Sequence, residues 1–145
     1  MATGSLTHAD ADLILKLYDL RREPLMRDSR NMINGRFLPR SAAEVIEMMS
    51  AMDHPMNQAF RQVSSYWEMV YGFAKHGIVN PDFLIENNGE GLFLYAKLAP
   101  YMSEIRSQMS PTAFENSQWI AENCNEGKRR FEMIKGRIAK MLGSK

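Results

Sequence analysis

Three histidines and one cysteine are the side chains of this chain that are best able to ligate a metal or act as a nucleophile. His8 and Asp12 stand one helical turn apart, which gives half of a metal site, but no second pair at such spacing and no paired cysteines follow. Cys124 lies near Glu122 and Glu126, whose negative charges would raise the pKa of its thiol rather than activate it. The sequence therefore predicts no catalytic residue, no metal site and no cofactor.

One short segment has the composition of an anion-binding turn. Asn88-Gly89-Glu90-Gly91 places two glycines at a predicted helix start, where free backbone N–H groups can hold an anion. No Lys-Ser or Lys-Thr pair follows, as a phosphate-binding loop requires, and the Glu90 carboxylate repels anions. We interpret the segment as an ordinary turn between two helices.

A set of polar residues on otherwise apolar helices is the better candidate for a ligand site. Glu68 falls at the edge of the apolar arc of its helix. A solvated Glu68 would pair along its own helix with little effect on stability. A partly covered Glu68 would instead bind Arg106, since a guanidinium can donate two parallel hydrogen bonds to a carboxylate. Such a pair would be structural first, and a pocket near Glu68, Tyr71 and Arg106 could then bind a small molecule.

Short helices must position these side chains, because helix-start signals recur along the chain. Each signal begins with a residue whose side-chain oxygen can cap the free N–H groups of a helix. It is followed by an acidic residue three positions later or by a proline at the first helical position. The four signals are Thr7 with Asp10, Ser41 with Glu44, Asn80 with Pro81, and Ser110 with Pro111.

Glycine and proline predict where these helices end or bend. Gly35 should end a helix that starts at Pro24, and His76-Gly77 should end the most regular helix, residues 56–75. Pro100 should kink a helix over 91–106. Gly127 leaves open whether the last helical segment continues or breaks there. We predict an all-α, single-domain, irregular bundle of about six to seven helices over 1–145, with 1–6 and 143–145 frayed.

The net charge of +1 conceals a basic C-terminus, because residues 125–145 hold seven basic and two acidic residues, a net charge of +5. Three interpretations of this amphipathic helix compete: packing on its own domain, a homodimer formed through it, or a place on an anionic membrane. A charge of +5 is modest for a nucleic-acid binder, so we expect no DNA. No run approaches the ~20 apolar residues of a transmembrane segment.

Several motifs resemble a bacterial family of all-helical domains of unknown function, over about residues 17–122. The resemblance implies a helical domain with no assigned catalytic residues, and it supports Arg30, Glu68 and Arg106 as a buried polar set. The segments that carry it are Leu17-Tyr18-Asp19, Pro24, Met26-Arg27-Asp28-Ser29-Arg30, Tyr66-Trp67-Glu68, Gly77, Leu98-Ala99-Pro100-Tyr101, Arg106 and Phe114-Glu115.

These observations favour a non-enzymatic interaction or regulatory module with a protein partner, located in the cytoplasm. One alternative is a small-molecule binding protein or enzyme whose expected ligand residues are Glu68, Tyr71, Arg106 and Arg30. The other is weak binding of an anionic membrane or nucleic acid through the basic C-terminal helix.

Overall fold

The computed structural model describes residues 5–143, and over that range it is helical, with no strand. The all-α, single-domain prediction is confirmed, although the described range contains more helices than the six to seven expected. The helices are α1 (His8–Arg21), α2 (Pro24–Arg36), α3 (Ala42–Ser50), α4 (Asn57–Lys75), α5 (Pro81–Asn87), α6 (Glu90–Leu98), α7 (Met102–Gln108), α8 (Glu115–Asn123) and α9 (Asn125–Gly143), with a 3₁₀ turn at Ala99–Tyr101 between α6 and α7.

Three of the four predicted helix-start signals cap a helix. The Thr7 hydroxyl accepts from the Asp10 N–H at 3.3 Å, and the Asp10 carboxylate accepts from the Thr7 N–H at 3.0 Å. Ser41 accepts from the Glu44 N–H at 3.1 Å. Asn80 caps α5 in the same way. These caps satisfy N–H groups that have no partner inside the helix, so local sequence is enough to place these helix starts.

The prediction that Ser110-Pro111 starts a helix is wrong. Turns occupy this region, and α8 starts at Glu115, after Phe114 in a left-handed conformation with φ of 60°. The first N–H groups of α8 are capped by Glu68 of α4 rather than by a residue next to them in sequence. A tertiary contact has therefore moved this helix start by about one turn.

The other departures from prediction are also local. Helix α2 continues through Gly35 to Arg36, and the predicted kink at Pro100 becomes a 3₁₀ turn that separates α6 from α7. The break near Gly127 falls instead at Cys124. Gly127 lies in the first turn of α9, where an added Cβ would lie 2.1 Å from the Ile120 carbonyl oxygen. This glycine is therefore needed for close packing of α8 and α9, and it does not break the helix.

Helix α4 forms the centre of the core, and it packs against α2, α3, α5, α6 and α8. Its Trp67 and Tyr71 side chains are almost completely buried. Helix α9 packs along α5, α6 and α8, so the structure shows the packing of this helix on its own domain. Of the predicted frayed ends, 1–4 and 144–145 lie outside the described residues, and Gly143 is still helical. No helix within 5–143 combines the length and apolarity needed to cross a membrane.

Candidate functional site

Glu68 holds the start of α8. Its carboxylate accepts from the backbone N–H groups of Asn116 at 3.0 Å and Ser117 at 2.9 Å, and also from the Ser117 hydroxyl. The Asn116 amide returns a hydrogen bond to the Glu68 backbone carbonyl at 3.0 Å. A carboxylate at a helix N-terminus gains both from these bonds and from the helix dipole. Glu68 is therefore a cap that joins α4 to α8.

Arg106 does not bind Glu68, so the predicted pair is absent between these two described residues. Its Nε donates instead to the Ala113 carbonyl oxygen at 3.0 Å. Its Nη2 is buried and has no hydrogen-bond partner among residues 5–143. Arg106 thus fixes the turn that leads into α8, while Glu68 fixes the first turn of that helix. The pairing was mispredicted because a helical wheel does not show which helix end lies opposite a carboxylate.

Tyr71 is fully buried, and its hydroxyl donates to the Asn88 carbonyl oxygen at 2.7 Å. Burial raises the pKa of this hydroxyl far above its ordinary value, so it remains a neutral donor. A Cβ on Gly91 would lie 2.7 Å from the Tyr71 ring. Tyr71 therefore positions the turn between α5 and α6, and Gly91 is the residue small enough to allow it.

Arg30, on α2, binds the same turn between α5 and α6. Its Nε and Nη2 donate to the two carboxylate oxygens of Glu90 at 2.8 and 2.7 Å, and its Nη1 donates to the Arg21 carbonyl oxygen at 3.3 Å. Burial alone would raise the pKa of Glu90, but the hydrogen bonds and charge of Arg30 outweigh it and lower that pKa. Glu90 therefore stays ionised and is fully used by Arg30.

The four predicted ligand residues thus form two separate groups. Glu68 and Arg106 organise the approach to α8, and Arg30 and Tyr71 organise the turn at 88–91. They do not surround one pocket, and the proposed buried set of Arg30, Glu68 and Arg106 is not one cluster. Glu90, which Arg30 holds, borders an open cleft, and so do Asn87 and Gly89 on either side of Asn88.

This cleft lies between the α5–α6 turn and one face of α9, and its volume is about 720 Å³. Arginines of α9 form one wall, asparagine and glutamate side chains form the other, and apolar side chains lie between them. The lining residues are Asn34, Glu86, Asn87, Gly89, Glu90, Phe93, Arg129, Arg130, Met133, Ile134 and Arg137.

The arginines of the cleft differ in how well they are neutralised. Glu126 accepts from Arg129 at 2.7 Å and from Arg130 at 3.1 Å, so one carboxylate serves two guanidinium groups. Arg137 has no ion pair or hydrogen bond with any residue in the described range. The wall formed by α9 therefore carries more positive charge than Glu126 neutralises.

Lys97 places another cation behind the cleft. Its side chain is 2% exposed, its Nζ donates to the Ile33 carbonyl oxygen at 3.0 Å, and the Nζ lies 4.1 Å from the centre of the Phe93 ring. Burial lowers the pKa of this amine to about 8. No carboxylate pairs with Lys97 among the residues that the structure describes, so its charge is offset only by a carbonyl dipole and aromatic rings.

The cleft was not predicted from the sequence, although both of its walls carry a signal there. Asn88-Gly89-Glu90-Gly91 has the composition of an anion-binding turn, and the last helix has a basic face. What the pattern lacks is the information that α9 folds back beside that turn.

Cys124 is buried, and its thiol is affected by Asp82 rather than by Glu122 or Glu126 as the sequence predicted. Burial and then the Asp82 hydrogen bond, at 3.0 Å, raise the pKa of the thiol to about 12. Asp82 also accepts from the Glu126 N–H at 3.0 Å and so caps α9. Between residues 5 and 143 there is no group of three histidine, cysteine or acidic side chains placed to hold a metal ion.

A comparison with protein families agrees with the resemblance seen in the sequence. The family model described as Domain of unknown function (DUF4760) matches residues 6–124. That range covers α1 to α8, and α9 begins directly after it. No curated protein and no solved structure matches the chain. The chain therefore belongs to the DUF4760 family of domains of unknown function.

Proposed function

We propose that this domain is a non-enzymatic binding module, and that the cleft between the α5–α6 turn and α9 holds a small molecule. This places the ligand site away from Glu68 and Arg106. It retains Arg30 and Tyr71 as residues that shape the site without lining it.

The main support is the number of buried and half-buried polar side chains that hold one turn, residues 88–91, in place. Arg30 fixes Glu90, Tyr71 fixes Asn88, and the Arg21 guanidinium donates to the Asn88 side chain. Buried polar groups are costly unless every partner is in place, so a fully paired network gives a rigid local geometry. A binding wall held this rigidly loses little conformational entropy when a ligand arrives.

The chemistry of the lining supports binding rather than catalysis. It offers guanidinium, amide and carboxylate groups together with apolar side chains, and none of the lining residues carries a thiol, hydroxyl, imidazole or amine. Of the two lining carboxylates, Glu90 is occupied by Arg30, and Glu86 has no thiol, hydroxyl or imidazole among the lining residues to activate. Guanidinium and amide groups at the walls of an apolar cleft are typical of recognition sites.

A cleft-filling substitution tests the proposal. Met133 is 57% exposed and lines the cleft, so Met133→Trp should occupy the space without disturbing the core. The matched control is Met69→Trp, because Met69 is also an exposed helical methionine, 42% exposed, on α4. The purified proteins would be incubated with a small-molecule extract, desalted and analysed by mass spectrometry after denaturation.

The expected result is a compound that is retained by the wild type and the Met69→Trp control but not by Met133→Trp. Circular dichroism would establish that both variants remain folded. Retention of the same compound by Met133→Trp, or retention of nothing by the wild type, would reject the cleft as a binding site.

The packing of α9 on its own domain bears on the homodimer predicted from the sequence. Helix α9 packs on α5, α6 and α8, and its apolar residues Phe131, Ile134 and Ile138 are buried or half-buried. A homodimer through this helix stays a prediction, and light scattering of the purified protein tests it. A protein partner and a cytoplasmic location likewise stay predictions.

A further inference from the structure

Building on the proposed function, we propose that the cleft selects a molecule with one anionic group, a carboxylate or a phosphate, attached to a flat apolar body. The anionic group would lie at Arg137, and the apolar body would lie over Phe93, Met133 and Ile134. The argument rests on the distribution of charge and apolar surface along the cleft.

The charge of the anionic group follows from the pairing of the cleft's ionic groups. Glu90 is neutralised by two hydrogen bonds from Arg30, and Glu126 is shared by two arginines. Arg137 has no partner among the described residues, and Glu86 is the one lining carboxylate without an ion pair. An anion at Arg137 would therefore find a guanidinium with all five donors available.

The position of the anionic group is inferred from the spacing of two arginines on α9. Arg130 and Arg137 are seven residues apart on one face of α9, which is about 10 Å along the helix axis. Arg130 is partly neutralised by Glu126 and lies near Gly89 at the other end. The two ends of the cleft are thus unequal, and an anion is favoured at the Arg137 end.

The apolar body of the ligand is inferred from the apolar side chains that line the middle of the cleft. Met133 and Ile134 lie between the two arginines in sequence, and the half-buried Phe93 ring faces them from α6. The Lys97 ammonium packs on that ring from the buried side and restrains it. An aromatic ring beside a methionine and an isoleucine side chain is a surface on which a planar group can stack. Lys97 also adds a positive field that favours an anion over a cation.

A panel of small probes tests this ligand class on the full chain. Phenyl phosphate and benzoate carry both features, with either anionic group. Inorganic phosphate carries the charge alone, and benzamide carries the ring alone. Affinities would be measured by isothermal titration calorimetry and by chemical-shift titration, at constant ionic strength.

Phenyl phosphate, benzoate or both should bind at least about tenfold more tightly than inorganic phosphate or benzamide. Arg137→Gln should weaken that binding about tenfold, since a charged hydrogen-bond donor is lost. Lys128→Gln is the matched control, because it removes a charge from the exposed face of α9 outside the cleft, and it should change affinity less than twofold.

Each contrary outcome has a distinct meaning. Equal binding of benzamide would overturn the anionic requirement, and equal binding of inorganic phosphate would overturn the apolar one. Unchanged affinity of Arg137→Gln would overturn the assigned position. If no probe binds while the wild type still retains a compound that Met133→Trp loses, the ligand class is wrong and the proposed function stands.

Discussion

Replacing Lys97 by methionine is expected to stabilise the fold at pH 7. The ammonium is 2% exposed, and burial lowers its pKa from 10.5 to about 8. That shift corresponds to about 3 kcal/mol of destabilisation of the charged form relative to an exposed lysine. Methionine has a similar length and no charge, so it removes this cost and keeps most of the packing.

The gain is reduced by the contacts that the ammonium makes. The hydrogen bond to the Ile33 carbonyl contributes about 1 kcal/mol and the contact with the Phe93 ring about 1 kcal/mol. The Ile33 carbonyl keeps a second donor, the Phe37 N–H at 3.2 Å, so it is not left unsatisfied. We therefore expect Lys97→Met to increase the free energy of unfolding by about 1–2 kcal/mol at pH 7.

The pH dependence gives the sharper test. Because the pKa of Lys97 is lower in the folded state than in the unfolded state, the unfolded chain binds more protons between pH 8 and 10.5. The wild type should therefore gain stability from this residue as the pH rises through that window. The variant lacks the titrating group, so its advantage over the wild type should shrink and then reverse.

Urea unfolding followed by circular dichroism at pH 7, 9 and 10.5 would measure this difference. Comparison of the two proteins at each pH cancels the other titrating groups. Lys128→Met on the exposed face of α9 is the control and should leave the difference near zero. A variant that is less stable than the wild type by a constant amount at all three pH values would refute the reasoning, since it would mean that the charge is not penalised by burial.

Three further substitutions probe the contacts described above by the same unfolding assay. Gly127→Ala should destabilise the protein by about 2–3 kcal/mol, because its methyl group would collide with the backbone of α8. The control Gly136→Ala on the same helix has open space around its Cβ and should stabilise the protein by up to about 1 kcal/mol. Equal effects of the two substitutions would contradict the close contact at Gly127. Glu68→Gln should cost about 1–2 kcal/mol by weakening the cap of α8, and a neutral result would show that the cap is dispensable. Gly91→Ala should cost about 1–3 kcal/mol by displacing the Tyr71 ring, visible also as a changed near-ultraviolet spectrum, and an unchanged spectrum would argue against that packing.

Local signals predicted most of the helices because their caps are local. Thr7, Ser41 and Asn80 each bond to an N–H group three residues on, so the sequence pattern contains the whole interaction. The start of α8 escaped prediction because its cap, Glu68, is separated from Ser117 by 49 residues. Helix starts that depend on tertiary contacts leave no pattern in their own sequence.

The candidate site shows the same division. Arg30 and Tyr71 are recognisable in the sequence as polar residues on helices, but their partners are not near them in sequence: Arg30 binds Glu90 across 60 positions, and Tyr71 binds Asn88 across 17. The cleft additionally needs α9 to fold beside residues 86–93, and that arrangement depends on the contact of Gly127 with Ile120. Helical periodicity describes one helix at a time and carries no information on which helices meet.

The buried thiol at the junction of α8 and α9 can be used to measure how often these two helices separate. Cys124 is the single cysteine, it is 3% exposed, and its pKa is raised to about 12. A thiol reagent can therefore label the folded protein only after the junction has opened, so the labelling rate measures how often α9 lifts at its first turn. Comparison of the labelling rate with and without a bound molecule would show whether a ligand in the cleft reduces the opening of α9.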